Sequence, residues 1–304
     1  MSFYRDLSDK PALQAWNTAD RAPYDHLAVS PLAPTIGARV TGIDLAKPLA
    51  PAVIGELRRA LHDHLVLALP GQDLTAEDHK RLGRYFGTLH SHLLGASRVI
   101  AGGDYDPEVL SWRTGAQSRF TAGDAWHADV SCDEQPILVS ALRVTRLPEI
   151  GGGDTAFANM YLAYETLSEP LKRLLHGLTA IHDGGHAWTH GYGSAPQAGH
   201  NFPVAEHPVV ARHPVTGRPY LYVNPAFTTH IVQLPRPESD AILGFLARHV
   251  ERSLALQVRV HWEADMVLLW DNWAAQHHAI WDYYPFERWG ERVSAVPAAR
   301  PQAA

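Results

Sequence analysis

The sequence predicts an α+β fold that is mainly β, built as a β-sandwich or a jelly roll with helical insertions and a flanking helical layer. From about Val99 onward, short apolar segments alternate with glycine- and proline-rich turns, as in antiparallel β proteins. Helical spacing of apolar residues is confined to a few separate segments. Many short strands beside a few helices therefore favour a β-sandwich or a jelly roll.

The N-terminal part is expected to begin with an extended arm. Residues 1–25 are polar and interrupted by prolines, whereas residues 26–304 are expected to form one domain. Pro51 suits the first turn of a helix. Thr75 is a residue type that caps helices, and Asp78 places negative charge in the first turn. The expected elements are short strands within 26–44, a helix over 51–65, a strand over 66–69 and a helix that begins after Thr75.

The C-terminal part mixes strands with two helical regions. The apolar run 137–147 is the longest strand candidate, and apolar residues lie on one side of a helix that begins at Pro237. Proline favours a helix boundary, so a break is expected near Pro170. The expected elements are a strand over 137–147, one or two helices over 159–175, a helix over 237–254, and strands over 257–262 and 266–271 that form a hairpin.

A long segment, 183–206, is rich in glycine, histidine, proline and serine and has no periodicity. Such a segment predicts a lid or a binding loop. His182, His186 and His190 recur every four residues, a spacing that could bind a metal ion if the segment were helical. Several glycines in the same stretch disfavour a helix, so a lid without a helix is expected.

Charge and composition exclude several classes of function. The 304-residue chain has a formal net charge of −6 and no long basic run, which argues against nucleic acid as the main partner. No apolar run reaches the roughly 18 residues of a membrane span, and the N-terminus lacks the apolar core of a signal peptide. A single cysteine, Cys132, excludes an intrachain disulfide. We expect a cytoplasmic protein with a small-molecule substrate and no membrane partner; a homo-oligomer is left open.

The motif His127-Ala128-Asp129 is the first sign of a chemical role. Alternate side chains of an extended segment point the same way, so His127 and Asp129 could bind one metal ion. A distant histidine such as His277 would complete the two-histidine, one-carboxylate triad of non-haem Fe(II) oxygenases. With 19 histidines in the chain, a chance surface pair is the alternative.

The motif is part of the first of four sequence features that point to one family. WHADVS (126–131), GGDT (152–155), WDNWAAQHHA (270–279) and the Arg288–Arg292 pair follow one another in a fixed order. Together they resemble the taurine dioxygenase (TauD/TfdA) family of Fe(II)- and 2-oxoglutarate-dependent dioxygenases, and the resemblance extends from about residue 26 to 297. It implies a double-stranded β-helix (jelly-roll) core, Fe(II) as the cofactor, and 2-oxoglutarate and O2 as co-substrates.

The resemblance also implies roles for single residues. His127, Asp129 and His277 match the iron ligands, and His277 rather than His278 matches the family's Gln-His pair. Halogenating relatives replace the carboxylate with a small residue, so Asp129 argues against halogenation. Arg288 matches the arginine that binds the far carboxylate of 2-oxoglutarate, for which a guanidinium is well suited. Thr155 matches the threonine that assists it.

Substrate contacts are less strongly specified. Arg292 is expected to bind an anionic group of the substrate, although a position beside the iron carboxylate is the alternative. His92 matches a family histidine that reaches the same anion, and His90 is its weaker rival. Trp126 and Phe227 are expected in an aromatic-lined pocket, unless they belong to the core. Taurine itself is not expected, because Gly95 and Gly123 replace the side chains that bind its amino end.

These features predict oxidation of an unactivated C–H bond in a small, anionic and fairly hydrophobic substrate, as in natural-product biosynthesis, with release of succinate and CO2. Desaturation and ring oxidation are further outcomes of the same chemistry. An alkylsulfonate, alkylsulfate or aryloxyalkanoate dioxygenase of catabolism is the alternative. A jelly-roll protein with a purely structural metal is the non-enzymatic alternative. A hydrolase with Cys132 as nucleophile would need an oxyanion-hole motif, and the sequence shows none.

Overall fold

The computed structural model describes residues 10–91, 106–121, 123–192 and 201–304, in which helices combine with many short strands. The strands in chain order are β1 (Ala28–Pro31), β2 (Ala38–Thr41), β3 (Val66–Leu69), β4 (Thr88–Leu89), β5 (Leu110–Thr114), β6 (Val139–Arg146), β7 (Thr155–Asn159), β8 (Thr179–Asp183), β9 (Val204–Pro208), β10 (Val210–Arg212), β11 (Pro219–Leu221), β12 (Thr228–Ile231), β13 (Gln257–Val260), β14 (Val267–Asp271), β15 (Ala275–Ala279), β16 (Arg288–Val296) and β17 (Gln302–Ala303). The helices are α1 (Lys10–Asn17), α2 (Pro51–His64), α3 (Ala76–Arg84), α4 (Met160–Glu165), α5 (Glu169–Leu175), α6 (Gly184–Tyr192) and α7 (Arg236–Arg252), with a 3-10 turn at Leu254–Leu256.

The largest sheet places an apolar strand near its centre. Its strand order is β1-β2-β3-β14-β6-β16-β4, and β5 also pairs with β16. Neighbouring strands are antiparallel except β2 and β3. Every residue of β14 is buried, because this strand lies between β3 and β6 and is covered on both faces. A strand in this position needs a continuous apolar run such as Val-Leu-Leu-Trp.

A smaller sheet, with the order β13-β7-β15, positions candidate site residues. His277 in β15 lies opposite Phe157 in β7, and Ala279 lies opposite Thr155. The backbone of His277 also exchanges two hydrogen bonds with that of His127, with N–O distances of 2.9 and 3.0 Å. The segment that precedes β6 is therefore joined to β15 at the two histidines themselves.

The remaining sheets have the orders β11-β10-β17 and β12-β8-β9. One cluster of buried apolar side chains extends along the chain from Trp16 to Ala295 and includes members of both the large and the small sheet. Within the described ranges, the helices are all too short or too polar to cross a membrane.

Three N-terminal predictions are confirmed. The helix expected over 51–65 is α2, with Pro51 in its first turn, and the strand expected over 66–69 is β3. Thr75 begins α3 with a capping box: its hydroxyl accepts a hydrogen bond from the Asp78 amide at 3.2 Å, and Asp78 accepts one from the Thr75 amide at 3.0 Å.

The extended N-terminal arm is a wrong prediction for Lys10–Asn17, which form α1. This helix buries Trp16, whose ring centroid lies 6.2 Å from that of Tyr161. The guanidinium of Arg218 lies 4.4 Å from the centre of the same indole ring. A tertiary contact around one aromatic residue therefore stabilises a helix whose sequence signal is weak.

The predicted hairpin of β13 and β14 is also wrong. The two strands exist, but β13 pairs with β7 and β14 pairs with β3 and β6. Asp265, in the connection, has a φ of +55°, so the chain turns sharply and passes from the small sheet to the large one. Apolar periodicity identifies a strand but does not identify its partner.

The expected break near Pro170 lies slightly earlier. The helix α4 ends at Glu165 and α5 begins at Glu169, with Pro170 in its first turn. Proline is tolerated at this position because the first-turn amide has no intrahelical partner.

The prediction that the lid segment contains no helix is wrong, because Gly184–Tyr192 form α6. The carboxylate of Asp183 accepts hydrogen bonds from the amides of Gly185 and His186, at 2.7 and 3.3 Å. It therefore caps the first turn of α6, whose amides have no partner within the helix. Trp188 packs on Phe202, with ring centroids 5.5 Å apart. Residues 193–200 of the predicted lid lie outside the described residues, and its last three residues, 204–206, belong to β9.

We predict that Thr75→Ala lowers the free energy of unfolding by about 1 kcal/mol, because α3 loses its capping box. Urea denaturation of the two proteins measures the difference. Thr75→Ser retains the hydroxyl and is the control, with stability close to that of the wild type. Equal losses in both variants would contradict the capping role.

Candidate metal centre

Three buried side chains converge where β15 meets the segment before β6. His127 Nε2 lies 3.7 Å from Asp129 Oδ1, and His277 Nε2 lies 3.8 Å from the same oxygen. The three atoms all lie within 4.8 Å of one another, a grouping that could hold a metal ion. The chance surface pair is thereby excluded as a description of His127 and Asp129, because both are buried.

The protonation states suit metal binding. His127 Nδ1 donates a hydrogen bond to the carbonyl of Ala125 at 2.8 Å, which leaves the Nε2 lone pair facing the other ligand atoms. Burial lowers the pKa of His127 and lowers the pKa of His277 well below its usual value, so both imidazoles are neutral. Burial alone would raise the pKa of Asp129, but the adjacent Arg292 guanidinium and the hydrogen bond from Ser140 hold it below its usual range. Two neutral imidazoles and a carboxylate are the form that binds a divalent metal.

Aromatic packing fixes the His277 ring. Phe157 stacks on it with a centroid distance of 5.9 Å and an interplanar angle of 25°, and Trp270 lies 4.8 Å away. The sequence supplies this packing through β7 and β14, whose apolar side chains face β15. His278 points to the opposite side, as strand alternation predicts, and its ring lies 5.8 Å from Trp126.

The carboxylate of Asp129 has two further partners. Ser140 donates a hydrogen bond to Oδ2 at 2.9 Å, and Arg292 Nη1 contacts Oδ1. The structure therefore places Arg292 beside the carboxylate, the second of the two positions left open by the sequence. Among the residues that the structure describes, Arg292 Nε has no hydrogen-bond acceptor, so the guanidinium retains a donor for a further anion.

Arg288 forms a second charged site. It is 3% exposed, lies 5.5 Å from the ring centre of Trp262 and 5.9 Å from that of Trp112, and makes no salt bridge with any described carboxylate. Its Nε likewise has no acceptor within the described ranges. Burial lowers the pKa of Arg288, but an arginine stays charged. A buried guanidinium without a carboxylate is costly unless an anion binds it.

Thr155 and the glycine run lie beside this arginine. The Thr155 hydroxyl accepts a hydrogen bond from Trp262 Nε1 at 3.2 Å, so its own proton is available to another acceptor. A Cβ at Gly153 would lie 2.8 Å from Arg288 Cδ, and Gly153 has a φ of +72°. Only glycine allows the chain to pass so close to the arginine in this conformation. These residues suit an anion that carries a planar carboxylate group.

The remaining predicted substrate residues are not gathered at one point. Trp126 lines an apolar cavity of about 160 Å³ together with Gln276 and residues of α7. Because Gln276 and His277 alternate in β15, this cavity lies behind the metal centre. Phe227 is half-buried where β12 begins, and its carbonyl accepts a hydrogen bond from the Asp183 amide. The substrate roles of Trp126 and Phe227 stay predictions.

Two predicted positions, His92 and Gly95, lie outside the described residues. His90, the rival of His92, has its Nε2 3.5 Å from Asp133 Oδ2. His182, predicted as part of a mobile lid, is instead fully buried and its Nδ1 lies 2.9 Å from Ser131 Oγ. It therefore supports the segment that follows Asp129.

Sequence reasoning missed a second group, the half-buried His62 with the buried His213 and Asp271, which also could hold a metal ion. His213 Nε2 lies 2.9 Å from Asp271 Oδ2, and His62 Nδ1 lies 3.5 Å from it. However, His213 Nδ1 accepts hydrogen bonds from two backbone amides, at 3.3 and 3.2 Å. A neutral His213 therefore carries its proton on Nε2, which favours a histidine–aspartate pair over a metal ligand. Nothing in the sequence other than the Asp of the WDN string pointed to this group.

Comparisons with known proteins agree with this geometry. The model of the taurine catabolism dioxygenase TauD, TfdA family matches residues 28–294. The alpha-ketoglutarate-dependent sulfonate dioxygenase of Saccharomyces cerevisiae is 34% identical over 290 residues, which cover 90% of this chain and 68% of the relative. The alpha-ketoglutarate-dependent sulfate ester dioxygenase of Pseudomonas putida is 32% identical over 278 residues, which cover 88% and 89%. A taurine dioxygenase structure from Burkholderia xenovorans has a TM-score of 0.75 at 34% identity and covers 92% of this chain and 94% of that one.

The class of protein follows from the fold, the site and these relatives. The chain is a dioxygenase that depends on Fe(II) and 2-oxoglutarate and uses O2. It belongs to the taurine catabolism dioxygenase TauD, TfdA family.

The single cysteine is unsuited to act as a nucleophile. Cys132 is 3% exposed, and burial, assisted by Asp133, raises its pKa to about 12. At about pH 8 only about one thiol in 10⁴ is then ionised. We predict that iodoacetamide does not alkylate the native protein but labels Cys132 fully in denaturant, as measured by intact mass. Rapid labelling of the native protein would contradict this environment.

Proposed function

We propose that His127, Asp129 and His277 bind the Fe(II). Their convergence within 4.8 Å, their burial and their charge states support this assignment. When bound, iron supplies the activation of O2 that an unactivated C–H bond requires. The protein's part would be to hold the ion through these three side chains. Ser140 and Ala125 support the assignment because they orient the Asp129 carboxylate and the His127 ring.

We further propose that Arg288 binds the far carboxylate of 2-oxoglutarate, with the Thr155 hydroxyl as a second donor. The observation that carries the proposed function is the Arg288 site. Its guanidinium is buried without a described carboxylate, and a purely structural metal site would not require such an anion-binding group. The two indoles beside it exclude water and strengthen the interaction with an anion.

The fold supports the same function if the large sheet and the β13-β7-β15 sheet are the two layers of a jelly roll. The hydrogen bonds between His127 and His277 support this arrangement, since they join a segment leading into β6 of the large sheet to β15 of the small one. A single core cluster, which includes Trp16 of α1, supports one catalytic domain that contains α1 as well as residues 26–304.

The substrate is proposed to be a small organic anion that is oxidised at a C–H bond near its charged group. Arg292 supports this proposal, because its Nε has no described acceptor and the guanidinium lies beside the metal ligands. The named relatives act on sulfonates and sulfate esters, and this favours an alkylsulfonate or alkylsulfate over the larger carboxylic acid of natural-product biosynthesis. The biosynthetic role stays a prediction.

The reaction balances without a further reductant. One O2 converts 2-oxoglutarate to succinate and CO2 and leaves one oxygen atom for the substrate C–H bond. Hydroxylation of the carbon that bears a sulfate ester gives an unstable hemiacetal-type product. Its C–O bond to the sulfate breaks, the hydroxyl loses its proton, and an aldehyde and inorganic sulfate are released.

Gly123 supports the prediction that taurine is a poor substrate. A Cβ at this position would lie 3.0 Å from His127 Cε1, and Gly123 has a φ of +85°. A side chain here would therefore displace the candidate ligand or strain the backbone. Gly123 itself offers no side chain that could bind an amino group.

We predict that His127→Ala, Asp129→Ala and His277→Ala each remove Mn(II) binding and reduce succinate formation to background. Mn(II) is measured by calorimetry without O2, and succinate by chromatography with Fe(II) and O2. His176→Ala, an exposed histidine, is the control and should behave as the wild type. Retained Mn(II) binding in any of the three variants would overturn the assignment of that ligand.

We predict that Arg288→Ala raises the KM for 2-oxoglutarate about 30-fold or more, since loss of one partner of a buried charge pair costs about 2–5 kcal/mol. Mn(II) affinity without 2-oxoglutarate should stay unchanged. Arg236→Ala, an exposed arginine on α7, is the matched control. A normal KM in Arg288→Ala would remove the proposed role.

We predict that alkylsulfates or alkylsulfonates of medium chain length stimulate succinate formation, whereas taurine does not. Release of sulfate or sulfite in step with succinate, together with the aldehyde, is the expected signature. Stimulation by alkyl carboxylates of the same length, without stimulation by the sulfur compounds, would support the biosynthetic alternative instead.

A further inference from the structure

We infer that Asn272 is a positioning residue that sets the Asp129 carboxylate for metal binding. The inference rests on the proposed assignment of Asp129 as an iron ligand. Asn272 belongs to the WDN string, to which the function proposed above gives no role. It lies in the turn between β14 and β15, five residues before His277.

The Asn272 side chain is fully buried and uses its whole hydrogen-bonding capacity. Its Oδ1 accepts from the backbone amide of Asp129 at 2.9 Å and from Trp270 Nε1 at 3.3 Å. Its Nδ2 donates to the carbonyls of Asp129 at 3.0 Å and Ile137 at 3.1 Å. One amide group therefore holds the backbone of Asp129 from both sides and fixes it to the residue that precedes β6 by two positions.

The backbone after Asp129 needs such support. Val130 has a φ of +49°, which is a genuine outlier for a β-branched residue. A conformation of this kind is strained and persists only when the surroundings determine it. The segment between Asp129 and Ile137 contains no strand, so no sheet hydrogen bonds hold it in place. Asn272 supplies bonds at both ends of this segment.

The same turn leads directly into the strand of the third ligand. Asp271 Oδ1 accepts hydrogen bonds from the amides of Trp273 and Ala274, at 3.1 and 3.0 Å, and so closes the turn. His277 follows in β15. Asn272 thereby links the backbone of one ligand residue to the element that carries another, and any change in its bonds alters the separation of Asp129 from His277.

Replacement by aspartate tests this role with little change in shape. In Asn272→Asp one oxygen can still accept from the Asp129 amide, but the other oxygen faces two carbonyls and loses both donated bonds. We expect Mn(II) affinity to fall about 10- to 100-fold, the usual effect of removing a group that orients a metal ligand. The absorption spectrum of the Co(II)-loaded protein should also change, because it reports the coordination geometry.

Asn159→Asp is the matched control. Asn159 is also fully buried, accepts a hydrogen bond from the Leu162 amide at 3.1 Å and donates one to the Thr35 carbonyl at 2.7 Å. The same substitution there removes a buried donor whose side chain bonds to Thr35 and Leu162 and to no proposed ligand, although β7 pairs with the strand that carries His277. It should lower the melting temperature but leave Mn(II) affinity and the Co(II) spectrum as in the wild type.

The outcomes separate the possibilities. If Asn272→Asp loses stability as Asn159→Asp does, yet binds Mn(II) within about twofold of the wild type, Asn272 is only structural and the inference fails. If the aspartate variant does not fold, Asn272→Ser replaces it, because serine removes the carbonyl contacts without adding charge. Its Mn(II) affinity and Co(II) spectrum then test the inference in the same way. If Asp129→Ala still binds Mn(II), the proposed ligand set itself is wrong, and this result is independent of Asn272.

Discussion

The structure depends on the burial of one negative charge. Asp129 is 4% exposed, and a carboxylate removed from water is tolerated only with paired charges and hydrogen bonds. The chain supplies Arg292 and Ser140 to its two oxygens and two imidazoles at 3.7 and 3.8 Å. Each of these partners comes from a different part of the chain, so this carboxylate fixes where β6, β15 and β16 lie relative to the motif. A divalent metal would complete the compensation of charge.

A second buried carboxylate lies one residue from Asn272. Asp271 is fully buried, and His213 and His62 hold its pKa below the usual range although burial acts to raise it. Its other oxygen, Oδ1, accepts hydrogen bonds from the two backbone amides that form the turn between β14 and β15. The WDN string thus combines a charged residue that stabilises the turn with a neutral amide that holds the candidate ligand. Asp271 only accepts hydrogen bonds, whereas Asn272 must also donate two, so the two residues cannot exchange places despite their similar shape.

The two arginines proposed to bind anions, Arg288 and Arg292, show the opposite imbalance of charge. Arg288 is a buried cation without a described carboxylate, and Arg292 retains a donor without a described acceptor. A buried cation without a described carboxylate, and a partly buried cation that keeps a spare donor beside Asp129, are expected where a protein binds anionic small molecules. Two such sites, one beside the candidate ligands and one between indoles, match a reaction in which both the co-substrate and the substrate are anionic.

Local sequence determined what depends on neighbours along the chain. Helical spacing located α2 and α7, the Thr75 cap located α3, and the apolar run located β6. Alternation explains why His127 and Asp129 share a side while His277 and His278 do not. The triad itself followed from motif order and family resemblance, and the three side chains do meet. Tertiary structure alone decided the rest, because it depends on contacts between distant residues. Packing of Trp16 made α1 helical, the Asp183 cap made α6 possible despite its glycines, and pairing with different sheets separated β13 from β14. No local pattern could have placed Asn272 on the backbone of Asp129, since 143 residues separate them and only the folded chain brings the amide to both sides of that residue.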